Sequence, residues 1–366
     1  MGFTLPEFRE PDFAQERFAN APDVRWESVE TDGVAPEGFH STSMYPEYFK
    51  ISGSWLLAKE SRMDASVVIR PDRTLAVVEN RNLRKGDRVI LGRTENGEEG
   101  IYMHCHGFEA GVESLEDQFV FRQGRSRETS YARDYDRLIE LLRYEKENGG
   151  NVLWVLGPAF AFDYDARKAM ELLIENGYVQ GILAGNAFAT HDLEGALLHT
   201  ALGQDIYTQQ SLPNGHYHHL DVINKVRRCG SIPRFIEEYG IDNGIIYSMV
   251  KKKLPFVLTG SIRDDGPLPE VIGDAYAGQR EMRGLIRNAT TVICLATMLH
   301  TIAAGNMTPS FRVLPDGTVR PVFLYCVDAA EFVVNKLLDR GSLSATTIVT
   351  NVQDFITLLI KGLSLQ

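Results

Sequence analysis

The spacing of apolar positions changes near residue 130. Before it, short apolar runs are cut by Gly, Pro, Asp or Asn: Tyr48-Phe49-Lys50-Ile51, Ala65-Ser66-Val67-Val68-Ile69-Arg70, Leu75-Ala76-Val77-Val78 and Arg88-Val89-Ile90-Leu91. Runs of this length between turn residues read as strands. Leu83-Arg84-Lys85-Gly86-Asp87 reads as a tight turn feeding the last of them. Residues 1–30 are rich in Pro, Glu and Phe without a clear period. They read as an arm, and Phe3, Phe8, Phe13 and Phe18, having no local core, call for a neighbour to cover them. A hydrophilic, Arg-rich connector covers 122–133. Helical spacing then runs over 134–148, with Leu138, Leu141 and Leu142 ahead of a Gly149-Gly150 stop.

From Asn151 onward the two periods alternate. Strands are expected at 152–156, 179–183, 255–259, 291–296, 322–327 and 347–349. Helices are expected at 165–176, 191–202, within 221–239, at 274–287 and 330–339, and from Asp354. Strands separated by helices predict a parallel sheet with right-handed crossovers. The expected class is α/β, with an arm at 1–30, a β-rich domain at 31–130 and a parallel-sheet nucleotide-binding domain at 131–366.

Composition narrows the function classes. Hydrophobic residues make up 44% and charged residues 24%, as in a globular chain with a sizeable core. No run approaches the ~18 apolar residues of a membrane span. Met1-Gly2-Phe3-Thr4-Leu5-Pro6-Glu7 lacks the basic and apolar regions of a signal peptide. A net charge of −11 argues against a nucleic-acid partner. The cysteines Cys105, Cys229, Cys294 and Cys326 show no CxxC spacing, and the last two fall in apolar runs as buried thiols. These features point to a soluble cytoplasmic enzyme.

The densest chemistry lies in Gly260-Ser261-Ile262-Arg263-Asp264-Asp265-Gly266-Pro267-Leu268-Pro269, delivered to a strand's carboxyl end by Pro255-Phe256-Val257-Leu258-Thr259. Arg263 can grip a carboxylate with two parallel hydrogen bonds, and Asp264 or Asp265 can hold an ammonium or take its proton. The plainer reading is a solvated turn with an internal Arg–Asp pair. Gly157-Pro158-Ala159 and Ala184-Gly185-Asn186-Ala187 close two other strands. Their backbone amides could face a pyrophosphate, although generic βα turns look the same and no GxGxxG is present. Ser261 and the carboxylate Asp328 are further strand-end candidates for a dinucleotide, Asp328 for its ribose hydroxyls. Asn186 with His191-Asp192 could act on a substrate, or Asp192 could cap a helix starting there. Gly215-His216-Tyr217-His218-His219 and His104-Cys105-His106 lack metal-ligand spacing, so no metal is expected. His300 reads as a packed residue.

Several blocks together resemble the archaeal-type ornithine cyclodeaminases, also labelled as related to lysine-ketoglutarate reductase/saccharopine dehydrogenase. They are Asp32-Gly33-Val34-Ala35-Pro36-Glu37-Gly38-Phe39, Leu183 to Ala187 with His191-Asp192, Gly215 to Leu220, Leu258 to Pro269, Leu295 to His300 and Gly305-Asn306. The resemblance runs from about residue 32 to the C-terminus. It implies an NAD-binding domain related to the deoxyhypusine synthase fold, which would account for the missing GxGxxG. It also implies conversion of L-ornithine to L-proline and ammonia by hydride transfer to tightly held NAD and back. The chain departs from the family pattern at Thr42-Ser43-Met44-Tyr45-Pro46, Phe160-Ala161-Phe162-Asp163, Asp328-Ala329-Ala330 and Thr350-Asn351-Val352-Gln353. The resemblance therefore carries fold and cofactor further than substrate. The alternatives are a dehydrogenase or deaminase of another amino acid, and a noncatalytic nucleotide- or amino-acid-binding regulator. A homo-oligomer of at least two chains is expected.

Overall fold

The computed structural model describes residues 3–108, 130–264, 266–330 and 345–365, with side chains of the helix at 130 described from residue 134. The helix expected at 330–339, most of the 122–133 connector and Asp265 fall on or among the remaining positions, outside the described residues.

Seven strands precede the central helix: β1 (Arg25–Ser28), β2 (Glu47–Ile51), β3 (Ser54–Leu57), β4 (Ser66–Ile69), β5 (Leu75–Val78), β6 (Arg88–Leu91) and β7 (Ile101–Met103). They form two antiparallel sheets, β1-β6-β4-β5 and β3-β2-β7. Phe49, Val67, Ile90 and Ile101 fill the core between them. The turn before β6 closes through Asp87 N–H to the Arg84 carbonyl.

The arm differs from expectation because its aromatics find cover on their own chain. Phe13 stacks on Trp55 at 5.1 Å, and Phe18 is buried at the end of a short helix, α1 (Glu16–Ala19). Lys50 locks this turn by donating to the carbonyls of Phe18, Ala19 and Ala21. Phe8 meets His104, and Phe3 packs on Tyr144 and Phe323. The argument for an intermolecular arm is thus met within one chain.

The larger sheet is built from β8 (Val152–Leu156), β9 (Gly181–Gly185), β12 (Phe256–Thr259), β13 (Thr291–Leu295), β16 (Phe323–Asp328) and β17 (Ala345–Val349). Two small hairpins, β10 (Thr200–Ala201) with β11 (Gln204–Asp205) and β14 (Phe311–Val313) with β15 (Val319–Pro321), interrupt the crossovers. All neighbours in the six-stranded sheet are parallel, in the order β12-β9-β8-β13-β16-β17. The chain moves outward from β8 to β9 and β12, then restarts on the other side of β8 at β13. This is the 3-2-1-4-5-6 order of the doubly wound dinucleotide-binding fold, with its switch point between β8 and β13. The strands are apolar on both faces because helices cover both.

One face packs against α2 (Ser130–Glu147), α3 (Tyr164–Glu175), α4 (Asn186–Leu198), α5 (His218–Cys229), α6 (Ile232–Glu238), α7 (Ile245–Lys252) and α10 (Val352–Gly362). The other packs against α8 (Ala275–Ile286) and α9 (Met298–Met307). The sequence misplaced α4, expected at 191–202. Glycine and Asn propensities hid its start, and its continuous burial leaves no amphipathic period to phase it. It also missed α7, whose N-terminus is held from another helix, as described below. Cys294 and Cys326 lie opposite each other in β13 and β16 as unbonded buried thiols; burial pushes Cys326 up to about 12.

Candidate active site

A cleft of about 550 Å³ opens at the carboxyl ends of the central strands. Pro158 follows β8, Gly185 ends β9, Ser261 follows β12 and Ala296-Thr297 follow β13, and all line it. It therefore spans the switch point, where open α/β sheets bind ligands.

Two helices aim their N-termini into this cleft without a cap. A helix start leaves four amide donors unsatisfied, and side chains usually take one or two of them. Asp163 caps α3, Ser231 caps α6, Asp274 caps α8 and Asn351 caps α10. By contrast, α4 begins at Gly185 and α9 at Thr297 with no side-chain cap among the described residues. Uncapped amides with the positive end of the helix dipole suit an anion. Gly185 also makes room: a Cβ there would lie 2.9 Å from His300 Cε1.

Gly157 is needed for another reason. A Cβ at this position would lie 1.8 Å from the Ala296 carbonyl oxygen, so its lack of a side chain lets the ends of β8 and β13 meet. Neither Gly157 nor Ala159 lines the cleft, and the Ala159 carbonyl accepts from Gln353. Asp328 is also outside the lining; its carboxylate accepts from Ala330 N–H at 2.8 Å.

The loop after β12 enters the cleft with Ser261, Ile262, Arg263 and Asp264. Asp264 accepts from Ser261 N–H at 2.7 Å and so closes the turn. No ion pair joins it to Arg263; the guanidinium is exposed and has no recorded partner among the described residues. Asn186 is drawn to the loop: its Oδ1 accepts from Leu268 N–H at 3.0 Å. This buried amide fixes the far side of the loop against α4.

His191 and Asp192, adjacent in sequence, serve different places. Asp192 is fully buried and does not line the cleft. It pairs with Arg167 at 2.9 Å and accepts from Ile245 N–H and Ile246 N–H, capping α7 from the middle of α4. The cap anticipated for a helix starting at 191 belongs instead to a helix more than fifty residues away, as the separation of 53 between Asp192 and Ile245 shows. His191 faces the cleft. Its Nδ1 lies 2.9 Å from Glu194 Oε2, so the carboxylate fixes the ring with Nδ1–H donating and Nε2 bare in the neutral form. Burial raises the Glu194 carboxyl, but bonds from His191, Gly203 N–H and Thr200 outweigh it and hold the group below the usual carboxylate range. Thr200 also meets His218 Nδ1 at 2.8 Å, tying part of the histidine cluster to this carboxylate.

Three cleft residues were not assigned a role from sequence. His300 spans Thr259 Oγ1 at 2.8 Å and Thr297 Oγ1 at 3.4 Å. Burial pushes its imidazole below the ordinary range, against the opposing charge of Asp264, so the ring is neutral near pH 7. Thr190 and His219 also line the cleft. A Thr inside an apolar helix and a His within a short cluster carry no spacing signal; only the fold brings them together.

The profile described as "Arginine dihydrolase ArgZ-like, C-terminal, Rossmann fold" matches residues 136–359. The ornithine cyclodeaminase of Methanocaldococcus jannaschii is 38% identical over 350 residues, covering 93% of this chain and 78% of that protein. The bifunctional arginine dihydrolase/ornithine cyclodeaminase ArgZ of Synechocystis is 35% identical over 348 residues, and the match spans 47% of its length. Among solved structures, a conserved putative LOR/SDH protein from Methanococcus maripaludis superposes with a TM-score of 0.84 at 33% identity, covering 94% of this chain and 98% of that one. The ternary complex of AgrE with ornithine and NAD+ superposes at 0.59 and 34% identity, covering 94% of this chain and 46% of that one. With the doubly wound order, these matches show that the chain belongs to the archaeal-type ornithine cyclodeaminase family.

Proposed function

We propose that the protein is an NAD-dependent cyclodeaminase that converts L-ornithine to L-proline and ammonia. One observation carries the reading. At the switch point, two uncapped helix N-termini share a cleft with an exposed guanidinium and a carboxylate-held imidazole. The cleft fits a dinucleotide: α4 and α9 offer amides to the pyrophosphate, and Gly185 and Ala187 allow close approach. AgrE, with ornithine and NAD+ in its solved complex, is the relative that supports this pairing of ligands. When bound, NAD supplies the acceptor and donor of electrons at the substrate Cα.

The chain's own groups bind and move protons. Arg263 holds the substrate carboxylate through two parallel hydrogen bonds. Asp264 or Asp265, on the same loop, holds the α-amino group or takes its proton. Asn186 keeps that loop on α4 through Leu268. His191 Nε2 accepts a proton from an amine, and the Glu194 carboxylate stabilises the resulting imidazolium. The distal amine then attacks the oxidised Cα, ammonia departs and the ring is reduced. We further assign residues 31–130 and 131–366 as two domains of a cytoplasmic homo-oligomer; the unbonded cysteines fit a reducing compartment. Among the described residues, no helix is long and apolar enough to cross a membrane.

The test is incubation of purified protein with L-ornithine and NAD, read by mass spectrometry and absorbance. Proline and ammonia in equal amounts without net NADH are expected. NADH formed in step with product would identify a net dehydrogenase. Absence of turnover with NAD bound would remove the enzymatic reading.

A further inference from the structure

Two polar atoms in the cleft are buried without a partner among the described residues: Thr190 Oγ1 and His219 Nδ1. Such atoms are costly unless something meets them. Thr190 is 2% exposed on α4, and His219 lies in the first turn of α5. Both residues line the cleft, and the His219 ring sits 6.1 Å from that of His191.

We propose that Thr190 Oγ1, His219 Nδ1 and His191 Nε2 form a subsite for the distal primary amino group of the substrate. The argument is one of hydrogen-bond valence and charge. An ammonium offers three N–H donors and no acceptor. The three atoms answer with acceptors: a hydroxyl oxygen, an unpartnered imidazole nitrogen, and the His191 nitrogen left bare because Nδ1 is held by Glu194. Apart from imidazoles, Arg263 is the one cationic side chain lining the cleft among the described residues, and it stands on the loop with Asp264. That loop suits the carboxylate and α-amino group together, leaving the histidine end for the other amine. The buried Glu194 carboxylate sits behind His191 and favours a cation there without contacting it in this arrangement. Neutral acceptors also let the amine lose its proton and become nucleophilic, which a direct carboxylate contact would oppose. Phe162 packs edge-on against the His191 ring at 5.2 Å and steadies it, while Phe188 and Ile223 give the methylene chain an apolar lining. Thr200 holds His218 to Glu194 and thereby fixes the segment that presents His219.

This inference rests on the proposed reading of an amino-acid substrate, and the test separates the two. Wild type, Thr190→Val, Thr190→Ser, His219→Phe and His219→Asn are compared, all with NAD. L-ornithine affinity is measured alongside that of L-norvaline, which lacks the distal amine. Thr190→Val and His219→Phe should each weaken ornithine tenfold or more while norvaline changes less than twofold. Thr190→Ser keeps the hydroxyl, and His219→Asn keeps an acceptor close to Nδ1, so both should retain most of the preference for ornithine. An unchanged ornithine-to-norvaline ratio in Thr190→Val and His219→Phe overturns the subsite, as does equal loss in the Ser and Val variants. If wild type binds no ornithine, the functional reading fails. The subsite is then decided with 1,4-diaminobutane, whose binding to wild type must fall in Thr190→Val; no binding overturns it.

Discussion

Replacing Asp192 by Asn should cost stability and leave chemistry alone. Side-chain exposure is 0% for Asp192 and 1% for Arg167, so the pair is out of reach of solvent screening. The carboxylate answers three donors: Arg167 Nε at 2.9 Å, Ile245 N–H at 3.1 Å and Ile246 N–H at 2.8 Å. An Asn keeps one acceptor oxygen and turns an NH2 against a group that also donates. It leaves the guanidinium buried without a counter-charge, a loss of about 3–5 kcal/mol. At ~2.1 cal/mol/K per residue, 4 kcal/mol lowers Tm by roughly 5 °C if all 366 residues unfold together. The drop is about 8 °C if 131–366 unfolds alone. Adding Arg167→Met removes the orphaned cation, so the double variant should fall short of the summed single losses by about 1–3 kcal/mol. Urea titration and calorimetry of the four proteins measure this. Turnover per folded molecule should stay at the wild-type value, since Asp192 does not line the cleft. A loss below about 1 kcal/mol, or strict additivity, would refute the assignment of a buried, coupled pair.

Three further outcomes can be checked together. Arg263→Lys keeps charge but loses the planar two-pronged grip, so kcat/KM should fall by about two orders of magnitude or more with Tm held; near-normal steady-state rates would make the loop only a turn. Gly157→Ala drives a methyl into the Ala296 carbonyl and should cost about 1–3 kcal/mol by urea titration, whereas an unchanged midpoint would contradict the close approach. The pH dependence of stability carries two sources of the same sign, in different pH windows. His300 has a lowered folded pKa, so the unfolded chain binds its proton first and stability declines as pH falls from 6.5 toward the lower folded value. The lowered Glu194 carboxyl adds stability above 4.5 that is lost as pH drops from there through its folded value. Urea titrations between pH 7 and 5 should therefore show a slope that His300→Asn reduces and Glu194→Gln does not.

Much of the fold was legible because apolar runs and their Gly, Asn and Asp boundaries record strand ends directly. The expected strands at 152–156, 291–296 and 322–327 match β8, β13 and β16 within a residue at each end. The strand expected at 179–183 slipped to β9 because Gly181 and Gly185 look like breakers, yet serve a buried parallel strand. What the sequence hid was long-range. Asp192 reads locally as a cap, and its target lies on α7. Phe3 and Phe13 read as uncovered, and their partners are Phe323 and Trp55. His300 reads as packing because its two Thr partners come from different strand ends.

The missing GxGxxG has a structural counterpart that ties fold to site. In the doubly wound order the phosphate turn follows the first strand, here β8. That place is taken by a short 3-10 turn, Pro158–Phe162, with Phe160 buried and Gly157 spent on the contact with β13. A glycine-rich phosphate cradle therefore cannot be read there. The neighbouring crossovers leave their helices uncapped instead, at Gly185 at the end of β9 and Thr297 after β13. Of the other helices packed on this sheet, α3, α6, α8 and α10 carry Asp, Ser or Asn caps, whereas α5, whose first turn brings His219 to the cleft, has none. Orphan amides are costly unless water or a ligand meets them, so uncapped helix starts that line the cleft suit an anion. The sequence signal for this site is thus a cap withheld rather than a motif supplied, and it becomes readable only once the strand order shows which helix starts share an edge.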